Sequence, residues 1–142
     1  MPLSGLDLRI SVNPKMFFDT RAVRRAVDKA KRRVLIQQGA YLRKVAQNLI
    51  HRRRGASRPP HPPHSHVGLL RDHIFYGYDR AAESVVVGPR VFSAALDIPG
   101  LLEFGGRHPR TGRQYSPRPY MGPALERSGP KLAEIWEDSV KG

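Results

Sequence analysis

The chain has 142 residues, 39% of them hydrophobic, with 13 glycines, 13 prolines and a formal net charge of +13. That length allows one domain with a thin core, hiding about 70% of its unfolded surface, and the Gly/Pro content implies irregular arms that partners order. The absence of cysteine excludes disulfides and thiolate metal sites, and no apolar run reaches the ~20 residues that span a bilayer.

The opening "MPLSGLDLRISV" lacks the charged and apolar regions of a signal peptide. The expectation is a soluble protein made in the cytoplasm, with no membrane partner. Within it, Leu6 to Val12 alternates apolar and polar residues and reads as a half-buried strand, ended by Asn13-Pro14. A long helix follows, capped by Asp19 or Thr20 and predicted to run from about 20 to 54. Val23, Val27, Ala30, Val34, Tyr41, Val45 and Leu49 form its apolar face, and Arg25, Lys29, Arg32, Arg33, Arg43 and Lys44 fall opposite. Gly39 weakens the middle and permits close packing. "HRRRG" ends the helix, with Gly55 as a left-handed cap.

Residues 15–58 hold 14 Lys and Arg against Asp19 and Asp28, an excess of +12; the remainder holds 11 against 10 acids, an excess of +1. Nearly all the charge therefore lies in one segment. A face so uniformly positive repels itself and points to an acidic partner, either DNA or an acidic protein surface. No base-reading module accompanies it, so a DNA contact would be nonspecific.

"ASRPPHPPHSH", residues 56–66, reads as an extended polyproline arm. Its His61, His64 and His66, with His73 nearby, are candidate metal ligands. Their spacing is not that of a zinc finger and no carboxylate lies close to orient the rings, so the balance is against a metal. "HIFYGYD" and "SVVVGP" read as strands of a hairpin joined by "DRAAE". "RVFSAALDIPG" is a connector closed by Pro99-Gly100. "LLEFGG" reads as a third short strand, followed by a projecting basic loop over 105–119. A C-terminal helix begins near Pro123, with Leu125, Leu132, Ile135, Trp136 and Val140 on its apolar side. Gly129-Pro130 should kink or divide it, with Ser128 capping the second part.

Catalytic patterns are weak. No nucleophile elbow is present, and Asp72, Asp79, Glu83, Asp97 and Glu103 are few and scattered, where a nuclease or glycosidase would use paired carboxylates. Glu103 beside Phe104 reads best as an anchor for an arginine of the loop or of a neighbouring subunit. The expected fold class is α+β: a long N-terminal amphipathic helix on a small, mostly antiparallel sheet, with a C-terminal helix and extended arms. The expected organisation is one domain over 1–142: strand 1–14, basic helix 15–55, Pro/His arm 56–66, and sheet, loop and terminal helix 67–142. Val27, Val34, Val45, Phe75 and Val86 are expected to join helix to sheet, with Leu132 and Trp136 covering the rest.

Three segments in order carry a family resemblance: Gly68-Leu69-Leu70-Arg71 before the hairpin, Leu102-Glu103-Phe104-Gly105, and Arg118-Pro119-Tyr120-Met121-Gly122-Pro123-Ala124-Leu125. Over roughly residues 67–138 the chain resembles the neck and tail-completion proteins of long-tailed phages, the minor tail protein Z-like group. Tyr120 stands where that family often has phenylalanine, and Gly122 where it often has arginine. The resemblance implies a non-enzymatic virion protein without cofactor or metal, which joins or seals the head–tail connection. Its implied partners are copies of itself in a ring, neighbouring connector and tail proteins, and packaged DNA. Glu103, Arg107, Arg110, Arg113, Arg118 and Tyr120 would serve partner interfaces. The alternative function is a small nonspecific nucleic-acid-binding protein that uses the helix over 20–54.

Overall fold

The structure is a computed structural model that describes residues 20–90 and 97–141. The strand expected at Leu6–Val12 and the cap expected at Asp19 lie outside them. The described elements are α1 (Thr20–Leu49), α2 (Leu69–Asp72), β1 (Ile74–Asp79), β2 (Ser84–Pro89), α3 (Ile98–Phe104), β3 (Gly106–Arg107), β4 (Gln114–Tyr115) and α4 (Met121–Lys141). This is the expected α+β arrangement, with a long helix, a small antiparallel sheet and a C-terminal helix. The chain divides into two compact units, Met1–Arg33 and Val34–Gly142. Of the first, the structure describes residues 20–33, all helical, with every side chain from Arg21 to Ala30 exposed.

In the second unit, the remainder of α1 carries Ala46, Leu49 and, just past its end, Ile50 into the core. Leu70, Ile74, Tyr120 and Ala124 complete that core, with Leu42, Val45, Val87, Leu102 and Met121 packed around it. β1 and β2 pair antiparallel from Ile74 opposite Pro89 to Asp79 opposite Ser84. A two-stranded hairpin is marginal alone and needs support on one face. That support comes from α1. A methyl group at Gly39 would stand 2.5 Å from Val85 Cγ2 and 3.0 Å from Tyr76 Cδ2, so helix and hairpin meet backbone to side chain. Arg43 Nε donates to the Ile74 carbonyl at 2.6 Å, and Gln47 Nε2 to the Arg71 carbonyl at 3.1 Å.

The expected helix–sheet contacts are corrected in part. Val34 is buried and Val45 packs on the core, but Val27, Phe75 and Val86 are 58%, 47% and 61% exposed. For Phe75 and Val86 the reason is the period of two along a strand, which sends neighbouring residues to opposite faces. Phe75 and Val86 share the outward face of the hairpin; Tyr76 and Val85 turn to the helix. Gly39→Ala is a direct check. The substitution gains about 1 kcal/mol of helix propensity, while overpacking costs about 1–3 kcal/mol. With backbone and hairpin this close, the steric cost should win and denaturant melts should show a net loss of about 1 kcal/mol. A more stable variant would mean that the hairpin yields freely.

Three further expectations change. First, α1 ends at Leu49, five residues before the expected Arg54. His51 instead pairs with His64, so the arm competes for the backbone that would have continued the helix. Gly55 does take positive φ, at 84°, but beyond the helix. Second, "LLEF" is helix and not strand. Asp97 caps α3 by accepting from the Gly100 amide, Pro99 occupies the first turn, and Gly105 ends it at φ 71°. Third, Ser128 caps no second segment. Its hydroxyl donates back to the Ala124 carbonyl at 2.6 Å, inside a helix that is continuous through Pro130. Trp136 is 40% exposed. The distal part of α4 is tied back where Gln38 Nε2 donates to the Leu132 carbonyl at 2.9 Å, across 94 residues of sequence.

Candidate functional site

The most ordered polar arrangement is built on Glu103. α3 holds this glutamate at the start of α4, whose first turn contains no acidic residue of its own. Glu103 Oε2 accepts from the amides of Tyr120 at 2.9 Å and Met121 at 3.0 Å, and Oε1 accepts from Gly122 at 2.8 Å. Pro123 has no amide proton, and the Ala124 amide donates to the Tyr120 carbonyl at 3.0 Å. Every amide donor from Tyr120 to Ala124 is thus satisfied, where a helix start ordinarily leaves its first donors to side chains or water. The carboxylate also carries negative charge to the positive end of the helix dipole. Glu103 is therefore an anchor whose partners among the described residues are amides of its own chain, where an arginine was expected.

The segment that follows is locked in the same place. The Arg118 amide donates to the Leu102 carbonyl at 2.6 Å, and Arg118 Nε donates to the Ser57 carbonyl at 2.9 Å. Arg118 thus joins three segments of this chain. The reading of Tyr120 as an interface residue is corrected: it is fully buried in the core. Its hydroxyl is buried and finds no hydrogen-bond partner among the described residues. Burial first, then the charges of Glu103 and Asp97, push its ionisation well above the ordinary 10.0.

Tyr120→Phe follows from that orphaned hydroxyl. Leaving such a group unpaired costs about 1–3 kcal/mol, so the variant should equal or exceed the parent in stability at neutral pH. Because folding raises the tyrosine's pKa, folding stability is unaffected below 10.0 and is lost as pH rises beyond it, when the unfolded chain releases the proton first. The parent should therefore lose stability relative to Tyr120→Phe above pH 10, read by urea melts of both proteins across that range. A parallel decline would refute the role of Tyr120.

The loop over 105–119 contains a small hairpin. Gly106 pairs with Tyr115 and Arg107 with Gln114. At its tip the His108 amide donates to the Arg113 carbonyl at 2.9 Å, and His108 Nδ1 accepts from the amides of Arg110 and Thr111 at 3.2 Å. The Arg113 guanidinium lies 5.5 Å from the centre of the Tyr115 ring. Arg107, Arg110 and Arg113 are exposed, so the hairpin presents three cations to solvent on a defined frame.

The cationic residues of α1 divide into two groups. Arg25, Lys29, Arg32, Arg33 and Lys44 are exposed. Arg43 is not on an open face, since its Nε is bound to Ile74. The reading of residues 56–66 as an extended polyproline arm is also corrected. The Ser65 amide donates to the His51 carbonyl at 2.9 Å, the Ser57 and Ser65 side chains are buried, and the segment turns back beside the end of α1. Among the described residues, no three His, Asp or Glu side chains are grouped to hold a metal ion, and no helix is long and apolar enough to cross a membrane.

No known protein family, curated protein or solved structure matches this chain. Nothing in the sequence marks Ser57 or Gln38 as an anchor, and Asp97 joins them as a third. Of these, Asp97 had a readable signal: an aspartate two residues before a proline at the start of an apolar run.

Proposed function

We propose that the chain is a structural component of the head–tail junction of a long-tailed phage, joining or sealing connector and tail, and not an enzyme. The observation that carries this reading is the Glu103 cap. It unites "LEFG" and "RPYMGPAL", two segments of the family resemblance, into one device. Glu103 binds the amides of Tyr120, Met121 and Gly122, and Arg118 returns to Leu102. A motif pair that would otherwise invite a catalytic reading thereby has a mechanical purpose: it sets the direction in which α4 leaves the core. The surfaces left for partners in a virion are the exposed basic residues of α1, the cationic hairpin over 106–115, and the outward face of β1–β2 with Phe75 and Val86. Copies of the same chain in a ring, connector and tail proteins, and packaged DNA are the partners this reading assigns.

The test is genetic and visual. Disrupting the gene in the phage that carries it should leave filled heads and separate tails by electron microscopy, and complementation should restore joined particles. Normal yields of complete, infectious particles without the protein would refute the proposal.

A nonspecific nucleic-acid-binding role is the second reading, favoured by one observation. The helix over 20–33 carries seven Lys and Arg against Asp28, and every side chain from 21 to 30 is exposed. Such a rod suits the phosphate backbone, where charge and not base identity sets affinity.

A further inference from the structure

The folded-back Pro/His segment forms one wall of a cavity of about 270 Å³, lined by Leu49, His51, His61, Pro62, His64 and Arg127. Three chain segments contribute to it: the end of α1, the segment 56–66, and α4. We propose that this cavity is a binding site for a tetrahedral oxyanion, with phosphate or a phosphoryl group as its ligand, held by Arg127 and by protonated histidines.

Four observations lead there. The lining offers three imidazoles and one guanidinium, and no carboxylate is among it. Those histidines are not grouped to hold a metal ion, and the guanidinium of Arg127 would repel a cation but can form paired hydrogen bonds to phosphate oxygens. The volume lies just below the usual range of ligand pockets, about 300–1,000 Å³, which suits a small anion better than a bulky organic ligand. Finally, the wall is preorganised. His51 and His64 are paired as a β-bridge, the Ser65 amide is fixed on the His51 carbonyl, and the His61 amide donates to the Arg58 carbonyl at 2.9 Å.

The site also has a built-in proton dependence. His64 Nδ1 lies 3.3 Å from the Gly55 carbonyl, so Nδ1 carries the hydrogen in that contact. In the neutral ring the other nitrogen, Nε2, is then an acceptor, which a fully deprotonated oxyanion such as sulfate cannot use. Protonation makes it a donor and adds a positive charge. Of the charged and titratable groups lining the cavity, His51 comes from beyond α1, His61 and His64 from the segment 56–66, and Arg127 from α4. Arg127 stays charged throughout, so the histidines set the pH response. Anion affinity should therefore rise on acidification.

The test uses the full chain and three probes: sodium sulfate, inorganic phosphate and a short DNA duplex. Sulfate keeps its double charge between pH 6 and 8, so its pH dependence reports the protein alone. Imidazole carbon-bound proton signals are followed by NMR, with His66, His73 and His108 as internal controls outside the cavity. Sulfate should move the His51, His61 and His64 signals, leave the controls in place, and bind about tenfold or more tightly at pH 6 than at pH 8. Arg127→Gln and His61→Gln, both at exposed positions, should each weaken it severalfold without changing the melting temperature. Movement of the same signals by free phosphate identifies a free-anion site; movement by the duplex alone identifies a DNA phosphate as the source. Failure of all three probes to move the cavity histidines more than the controls overturns the proposal, as does sulfate binding that is unchanged by both substitutions.

Discussion

Glu103→Ala should lower the unfolding free energy by about 3 kcal/mol, from the loss of a charged acceptor shared by three amides. Hydrogen bonds to charged groups are worth about 1.5–3 kcal/mol each, but the three are not additive. The Gly122 amide lies at an exposed position and can turn to water, whereas the Tyr120 amide belongs to a fully buried residue. That difference keeps the total near the value of one or two bonds. Glu103→Gln separates charge from geometry. It keeps an acceptor oxygen but loses the carboxylate's charge, so its cost should be about half that of alanine. Glu103→Asp should cost nearly as much as alanine, because a shorter arm from α3 cannot reach all three donors. Circular dichroism melts in urea give the ranking. If Gln and Ala were equally harmful, the oxygen geometry would be irrelevant and the cap would act by charge alone. A stable Glu103→Ala protein would remove the mechanical reading of the motif pair.

Charge reversal on α1 should have the second large effect. If Arg25, Lys29, Arg32 and Arg33 each neutralise one phosphate, the slope of log affinity against log salt is about −3.6 for duplex DNA. A fourfold rise in salt then weakens binding about 150-fold. Changing all four to glutamate should flatten the slope by about that amount and abolish binding at moderate salt, measured by fluorescence anisotropy. The fold should survive, because these four side chains are exposed. Arg43→Gln is the contrasting variant. Its Nε supports the Ile74 carbonyl, so it should reduce stability and leave the salt slope unchanged. Absence of DNA binding by the parent at low salt would leave acidic protein as the only partner class for this face.

What the sequence disclosed, and what it concealed, follows from the range of the interactions involved. The long helix and the β1–β2 hairpin were legible because periodicity and turn residues are local. Gly39 was legible as a close-packing position for the same reason: a glycine inside a strong helical pattern has few other uses. The face of the hairpin was not legible, since "IFYGYD" and "SVVVGP" are apolar on both sides and alternation cannot choose between Phe75 and Tyr76. "LLEFGG" misled because four apolar or mixed residues before a glycine pair fit a strand as well as a helix; Asp97 and Pro99, just upstream, decide the matter. The role of Glu103 depends on amides 17 to 19 residues away. Its destination could be sensed as an anchor but not located. Tyr120 carried the opposite signal, since a tyrosine between Pro119 and Met121, close to Arg118, looks like an interface residue when its burial is unknown. The Pro/His segment was misjudged because prolines predict local extension, whereas the bridge from His64 to His51 sets where the extended piece lies.

The bond from Gln38 to the Leu132 carbonyl has a kinetic meaning. It closes a span of 94 residues, while the Glu103 cap closes fewer than 20. Contacts between residues near in sequence can form early, and those across long spans wait for the intervening chain to be in place. The Glu103 cap at the start of α4 is thus expected to form before the latch on its far half. In the finished fold the order reverses. The residues from Glu137 to Lys141 are exposed, so thermal opening should begin at that end and stop at Tyr120, where the cap and the core hold together. α4 therefore behaves as a hinged lever: a fixed root, a late latch and a free tip.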